Sequence, residues 1–280
     1  MDKVNEETDK MGVFDFRNKL SRNAETEEKE QKPAARFWRI LYSKIWNLTK
    51  LNLLYLVFLL PTFFAIFLLS GIIVGGMFQN VQSDYGVFYE IFVRLVISSF
   101  FAAFWGAGPA TAGITAVLWK CAKEEPSFIW SDFIDGMKTN FKQSLMVFAV
   151  DIVAFVVLYA AILFYGSMPG VIGMAAFVVT ASITLIYTIM HFYIYPFMSS
   201  YDMKLRHIYL NSLIYTIGKL PRNFMILGAL LLIHVGLVYL ICNFAVGVLF
   251  LLLGIVIGYA FSGFVVNFNV YENMRVYIEK

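Results

Sequence analysis

Apolar and polar positions alternate along this chain in long blocks, not in short periods. Between Leu51 and Tyr271 lie about six apolar stretches, each long enough to cross a hydrocarbon core of about 30 Å as a helix. Lipid offers no partner to a free backbone group, so a spanning segment must satisfy its own hydrogen bonds. The pattern therefore predicts an all-α, polytopic membrane protein. The spans are expected over Leu51–Met77, Ile91–Leu118, Ser144–Tyr165 and Val171–Met198, with two more inside Phe224–Tyr271. As one helix that last block would measure about 70 Å at 1.5 Å per residue. It must turn, and the turn is expected near Cys242–Gly247. Pro61 predicts a kink in span one, and Gly166–Gly170 reads as a tight turn.

The polar segments set the remaining divisions. Residues 1–34 read as a disordered cytoplasmic tail with one apolar island, Met11–Phe16, and no leader-like apolar core. Residues 35–50 are basic and aromatic, as expected of a helix at the headgroups. Residues 51–274 make the transmembrane domain and 275–280 a cytoplasmic end.

Two connectors carry helical patterns of their own, expected to be cytoplasmic amphipathic helices. In the first, Trp130, Phe133, Ile134, Met137 and Phe141 recur on one face, with Ser127 expected as its cap. In the second, Leu205, Ile208, Tyr209, Leu213 and Ile217 form a similar face, ended by Pro221. Each connector leads into a rising span through Asn-Phe, at Asn140-Phe141 and Asn223-Phe224, a parallel pseudo-repeat. These helices either join spans at the interface or offer a docking face to a partner, a face that includes Trp130, Phe133, Ile134, Met137, Phe141, Leu205, Ile208 and Tyr209.

Composition agrees with this picture. The chain is 60% hydrophobic and only 15% charged, against about 25% charged in a globular domain. The net charge of +3 suggests no nucleic-acid partner, and its distribution says more than its size. In the six-span topology 21 of the 22 Lys and Arg fall on one face, with Arg94 alone on the other. The positive-inside rule then puts both termini in the cytoplasm of a multi-pass plasma-membrane protein. Cys121 and Cys242 fall on opposite sides, too few and too far apart for a disulfide framework or a metal site.

Candidate chemistry is sparse. Asp151 is the one carboxylate well inside a span, a costly placement that calls for a partner or a cavity. His191 and His234 lie at similar depth, so an Asp–His pair could relay a proton or simply hold the helices together. Arg94 either snorkels to lipid phosphate, pairs with Glu90 or binds an anion. Gly106, Gly108, Pro109 and Gly113 have two readings. Ala102, Gly106 and Ala110 form a small-residue stripe for close helix packing, the preferred reading. Alternatively Pro109 and the glycines break the helix to line a site. There is no zincin pair, phosphate loop or nucleophile elbow, so no enzyme, cofactor or metal is expected.

Three segments carry a resemblance. Asn52-Leu-Leu-Tyr-Leu-Val-Phe-Leu-Leu-Pro61 resembles the first span of the YesL family. Gly108-Pro-Ala-Thr-Ala-Gly113 with Lys120 resembles the end of its second span, and Asp132-Phe-Ile-Asp-Gly-Met-Lys-Thr-Asn-Phe-Lys142 is similar to its loop motif. Met11–Phe16 fits its usual start. The resemblance implies a bacterial membrane protein of unknown function, often encoded beside carbohydrate ABC importers, with no assigned reaction or site residues. The chain departs from the family in a longer first span, the Gln79–Gly86 connector and the long polar N-terminus. The expectation is thus a non-enzymatic accessory or regulatory subunit of carbohydrate import, its partners the lipid bilayer and ABC-transporter subunits. The alternatives are a small secondary transporter using the intramembrane Asp/His site and a structural membrane protein.

Overall fold

The computed structural model describes residues 32–78, 84–243, 249 and 252–278. The tail and its Met11–Phe16 island, residues 79–83 of the first connector, residues 244–247 of the expected turn and the last two residues lie outside the described residues. What is described is helical, without strands. The elements are α1 (Pro33–Phe78), α2 (Asp84–Phe104), α3 (Pro109–Ala122), α4 (Ile129–Thr139), α5 (Phe141–Ser167), α6 (Gly170–Ser200), α7 (Leu205–Gly218), α8 (Leu220–Asn243), a π turn (Gly254–Gly258) and α9 (Tyr259–Ile278).

Five helices are long and apolar enough to span a bilayer, and α2 with α3, bent by 49° at their break, makes a sixth when the pair is counted as one span. Only 11% of the apolar window of α5, and the same share of α6, is buried. Side chains such as Val171, Ile172, Met225 and Leu232 stand fully outward. Lipid must be the solvent for such surfaces. The protein is a multi-pass membrane protein.

The chain divides into two compact units at Ser43 and Lys44. In the described part of the first, Phe37 meets the edge of Trp38 at 5.4 Å, and Trp38 and Tyr42 are exposed. One helix, α1, covers residues 35–50 and span one and runs through Pro61.

In the second unit α3 is the hub, packed against α4, α5, α6 and α9. Its residues explain this. Ala112, Gly113 and Ala116 are small, so α4 lies almost on the α3 backbone. Phe133, wholly buried, rests on Gly113, and Gly136 sits against Ala116. Phe133 also meets Phe58 of α1 at 5.3 Å.

The loop motif is a device for this packing. Asp132 pairs with Lys120 at 2.9 Å, and its other oxygen accepts the Phe128 N–H at 2.9 Å. Ser127 is therefore not the cap: the helix starts one residue later, and a carboxylate in its first turn does the capping. Asn140 donates to the Gly136 carbonyl at 3.1 Å and closes α4. Asn223 does the same for α7, donating to the carbonyls of Tyr215 and Thr216. The two Asn-Phe junctions are thus alike in what their amides do.

In α7 the buried stripe is Ile208, Ser212 and Thr216, while Ile217 points outward with Leu210 and Ile214. Of the expected face, Leu205, Ile208, Tyr209 and Leu213 pack against the core and Ile217 alone departs, while Ser212 and Thr216 are buried beside them.

Candidate functional site

Span two breaks where its glycines lie. Gly106 has φ +91° and Gly108 φ +60°, backbone conformations that favour glycine. The Ala107 N–H donates to Thr111 Oγ1 at 2.6 Å, and Thr111 Oγ1 lies 3.1 Å from the Tyr55 hydroxyl. Pro109 opens α3 in the position proline favours. The small-residue stripe over Ala102, Gly106 and Ala110 is therefore not one helical face. The break brings Trp105, the end of the first half, against α6. There its indole N–H donates to Thr188 Oγ1 at 2.9 Å, and its ring stacks on His191 at 5.9 Å and 11°.

Asp151, on α5, is fully buried. Its Oδ1 accepts from the Tyr187 hydroxyl at 2.7 Å and meets His191 Nε2 at 2.8 Å. Tyr187 and His191 are one turn apart on α6, so both reach one oxygen. His191 Nδ1 lies 3.0 Å from the Tyr187 carbonyl. A carbonyl only accepts, so Nδ1 carries a hydrogen. The Nε2–Oδ1 contact then holds one proton, as carboxylate with imidazolium or as carboxylic acid with neutral imidazole. Both forms are neutral overall, which is what a lipid-embedded site tolerates.

Asp151 Oδ2 is buried without a hydrogen-bond partner, and the hydroxyl of Tyr209 approaches that of Tyr187 from α7. Burial pushes the Tyr209 phenol well above its ordinary range, so it stays a donor.

On its other side His191 lines a cavity of about 70 Å³. Its walls come from both halves of the broken span, α1, α6, α8 and α9, and include Trp105, Thr111, Tyr195, Ser262 and Asn267. Tyr195, Ser262 and Asn267 contribute to these walls, but their side-chain oxygens are sealed from the space itself, and the Tyr195 hydroxyl lies against the Gly108 backbone. By volume the space takes about five water-sized groups.

The other expected residues separate from this site. His234 is not with Asp151. It packs against Phe100 and Phe104, with ring centroids at 5.8 and 5.3 Å, and its Nδ1–H donates to the Leu230 carbonyl at 2.9 Å. Equal depth on two spans does not fix which face a side chain takes. Arg94 pairs with Glu90 one turn back and lies 5.9 Å over the Phe67 ring, so it is held within the protein. Of the docking candidates, Phe133 and Ile208 are wholly buried and unavailable to a partner. Ile134, Met137, Leu205 and Tyr209 are half-buried, and Trp130 and Phe141 are exposed. Among the described residues no three His, Cys, Asp or Glu converge as a metal site would require.

Sequence reading missed Tyr187, Trp105, Tyr195, Ser262 and Asn267. Tyr187 was signalled, being four residues before His191 on the same face. The others are ordinary span residues until the break gathers them.

Residues 48–162 match the family model described as "Protein of unknown function, DUF624". No curated protein and no solved structure matches the chain. The matched range holds the break, the α3–α4 packing and Asp151, but not His191 or the α9 wall of the cavity.

Proposed function

We propose that this chain is a small secondary transporter in which the Asp151–His191 pair holds the coupling proton. One observation carries the reading: a buried carboxylate in hydrogen-bond contact with a histidine that lines a small cavity at a broken span. Intramembrane ionisable groups mark ion and substrate paths, and discontinuous helices build the sites of transporters. In this reading the protein is not an enzyme. It sits in the plasma membrane with both termini and the α4 and α7 connectors in the cytoplasm, where its basic residues collect.

The test is a proteoliposome containing a trapped pH dye, challenged with outside solutes that are neutral, anionic or cationic. Solute-driven proton movement should occur with the wild type and vanish in Asp151→Asn. Movement that is equal in the two proteins would overturn the reading.

A second reading, an accessory subunit of carbohydrate import, is supported by a different observation. Phe128, Trp130 and Phe141 project from the α4 connector fully or half exposed, and exposed aromatics of this kind favour an interface. The link to sugar import comes from the YesL resemblance, whose three motif segments all lie within the matched residues 48–162. Purification from native membranes should then recover a transport protein in stoichiometric amount with the wild type, and lose it in Trp130→Ala. Recovery of the chain alone would remove this reading.

A further inference from the structure

We propose that a second cavity, at the basic ends of α5 and α6, binds the phosphodiester headgroup of an anionic phospholipid. The site is separate from the Asp151–His191 pair and rests on neither reading of that pair, only on the helices being spans. The cavity measures about 660 Å³, within the range of about 300–1,000 Å³ typical of small-molecule sites. It lies where the α4–α5 junction, residues 138–143, faces the end of α6, residues 198–202. Helices α5 and α6 are both long and apolar enough to cross the bilayer. At 1.5 Å per residue each is longer than a hydrocarbon core of about 30 Å, so these ends reach the headgroup layer.

Charge selects the ligand class. Lys138 and Lys142 line the cavity and are exposed. Among the described residues neither ammonium is held in an ion pair. Asp202 is the one acidic side chain in the wall. Two cations against one anion leave a single positive charge, which a phosphodiester monoanion balances and a phosphomonoester dianion exceeds. Thr139 and Tyr201 add hydroxyl groups to the wall. The apolar surface then separates a lipid from a soluble phosphodiester. Phe141 lies in the wall, and Leu145 and Met146 follow one turn further along α5, below Phe141 and Lys142 on the same faces. All three apolar side chains are exposed. They continue the cationic cavity into the hydrocarbon as a track for an acyl chain. A basic pocket between spans is a recurrent way of holding an anionic headgroup.

The experiment is native mass spectrometry of the full chain in micelles at pH 8. The probes are phosphatidylglycerol, phosphatidylcholine and phosphatidic acid with the same acyl chains, and glycerophosphoglycerol, the deacylated headgroup. Phosphatidylglycerol should bind at least tenfold more tightly than phosphatidylcholine, and at least tenfold more tightly than its own deacylated headgroup. Lys138→Gln with Lys142→Gln should abolish the preference for phosphatidylglycerol. Lys204→Gln with Arg206→Gln removes the same charge from the neighbouring connector, outside the cavity wall, and should leave the preference intact. Asp202→Asn adds one positive charge and should shift the preference toward phosphatidic acid. These five side chains are exposed, so each variant is expected to melt as the wild type does. If the lysine pair fails to fold, Asp202→Asn decides. The inference is overturned if phosphatidylglycerol and phosphatidylcholine bind equally, or if both double variants lose the preference alike, which would make it an effect of surface charge. It is equally overturned if the deacylated headgroup binds as tightly as the lipid, or if Asp202→Asn leaves the order of the lipids unchanged.

Discussion

The Asn52 side chain in α1 closes the π turn more than two hundred positions later. Its Oδ1 accepts the Ala260 N–H at 2.7 Å and its Nδ2 donates to the Ile255 carbonyl at 2.7 Å. A π turn leaves backbone groups out of register, and in lipid nothing else would satisfy them. Asn52→Leu keeps the volume and removes both bonds. It is expected to destabilise the protein by about 2 kcal/mol, since each bond is worth about 1 kcal/mol. Thermal melting of the purified protein in micelles checks this. An unchanged melting temperature would show that the turn does not depend on Asn52.

The Asp151–His191 pair should be costly to halve and cheap to delete. His191→Leu strands Asp151 with only the Tyr187 hydroxyl. Breaking a buried pair by removing one partner costs about 3–5 kcal/mol. The double variant Asp151→Leu with His191→Leu removes both polar groups and is expected to lie within about 1 kcal/mol of wild type, or above it. Comparing the three melts separates a proton-holding pair from a structural tie. If the double variant were the least stable of the three, the pair would be a structural tie.

Glycine contacts give a graded expectation for the α3 hub. A Cβ at Gly113 would sit 2.8 Å from the Phe133 carbonyl and 3.1 Å from its ring. Backbone cannot yield there, so Gly113→Ala should push α4 away and cost roughly 2–3 kcal/mol as overpacking. A Cβ at Gly263 would meet the end of the Leu118 side chain at 2.7 Å, which a rotamer change can relieve. Gly263→Ala should therefore be the milder, and a reversed order of melting temperatures would contradict the packing described.

How much of this was legible follows from the length scale of each signal. Spans of twenty or more apolar residues are written in composition, so the long helices could be read directly, whereas the break at Gly106 and Pro109 was the less favoured of two readings, because small residues serve close packing and helix breaking alike. Asp151 was found because a carboxylate in lipid is rare. Its pairing with His191 and not His234 depends on helix rotation, which depth alone does not encode. The loop motif misled for a similar reason. Periodicity finds an apolar face on α4, but only the small residues Gly113 and Ala116 on another helix say that the face is already covered. Asn52 looks like an isolated polar residue because its partners are backbone groups of a helix far away in sequence.

Asp132 does two jobs, and they can be told apart. Lys120→Ala removes only the ion pair. Lys120 is more than a third exposed, so screening limits the loss to under about 1 kcal/mol. Asp132→Ala also frees the Phe128 N–H and is expected to cost about 1 kcal/mol more, the usual worth of a cap. Raising the salt concentration should shrink the first difference and leave the second. Equal losses for both variants, each abolished by salt, would mean that the carboxylate acts only as a charge.

Sidedness follows from the bend in span two. A re-entrant hairpin would need its halves to reverse, whereas 49° keeps the second half moving forward. Tyr89–Phe104 and Pro109–Ala122 are about 24 and 21 Å long at 1.5 Å per residue. Together they clear a core of about 30 Å even with the bend. Six crossings put the turn at Met168 opposite the connector at Lys204. By the positive-inside rule the basic residues around Lys120–Lys142 and Lys204–Arg222 predict that those connectors are cytoplasmic. In a background with Cys121 and Cys242 replaced by Ser, Met168→Cys should react with a membrane-impermeant maleimide on intact cells. Lys204→Cys should react only after permeabilisation. The opposite pattern would invert the protein in the membrane. Labelling of both in intact cells would mean that α6 does not cross, and that the Asp151–His191 pair lies at the surface and not within the bilayer.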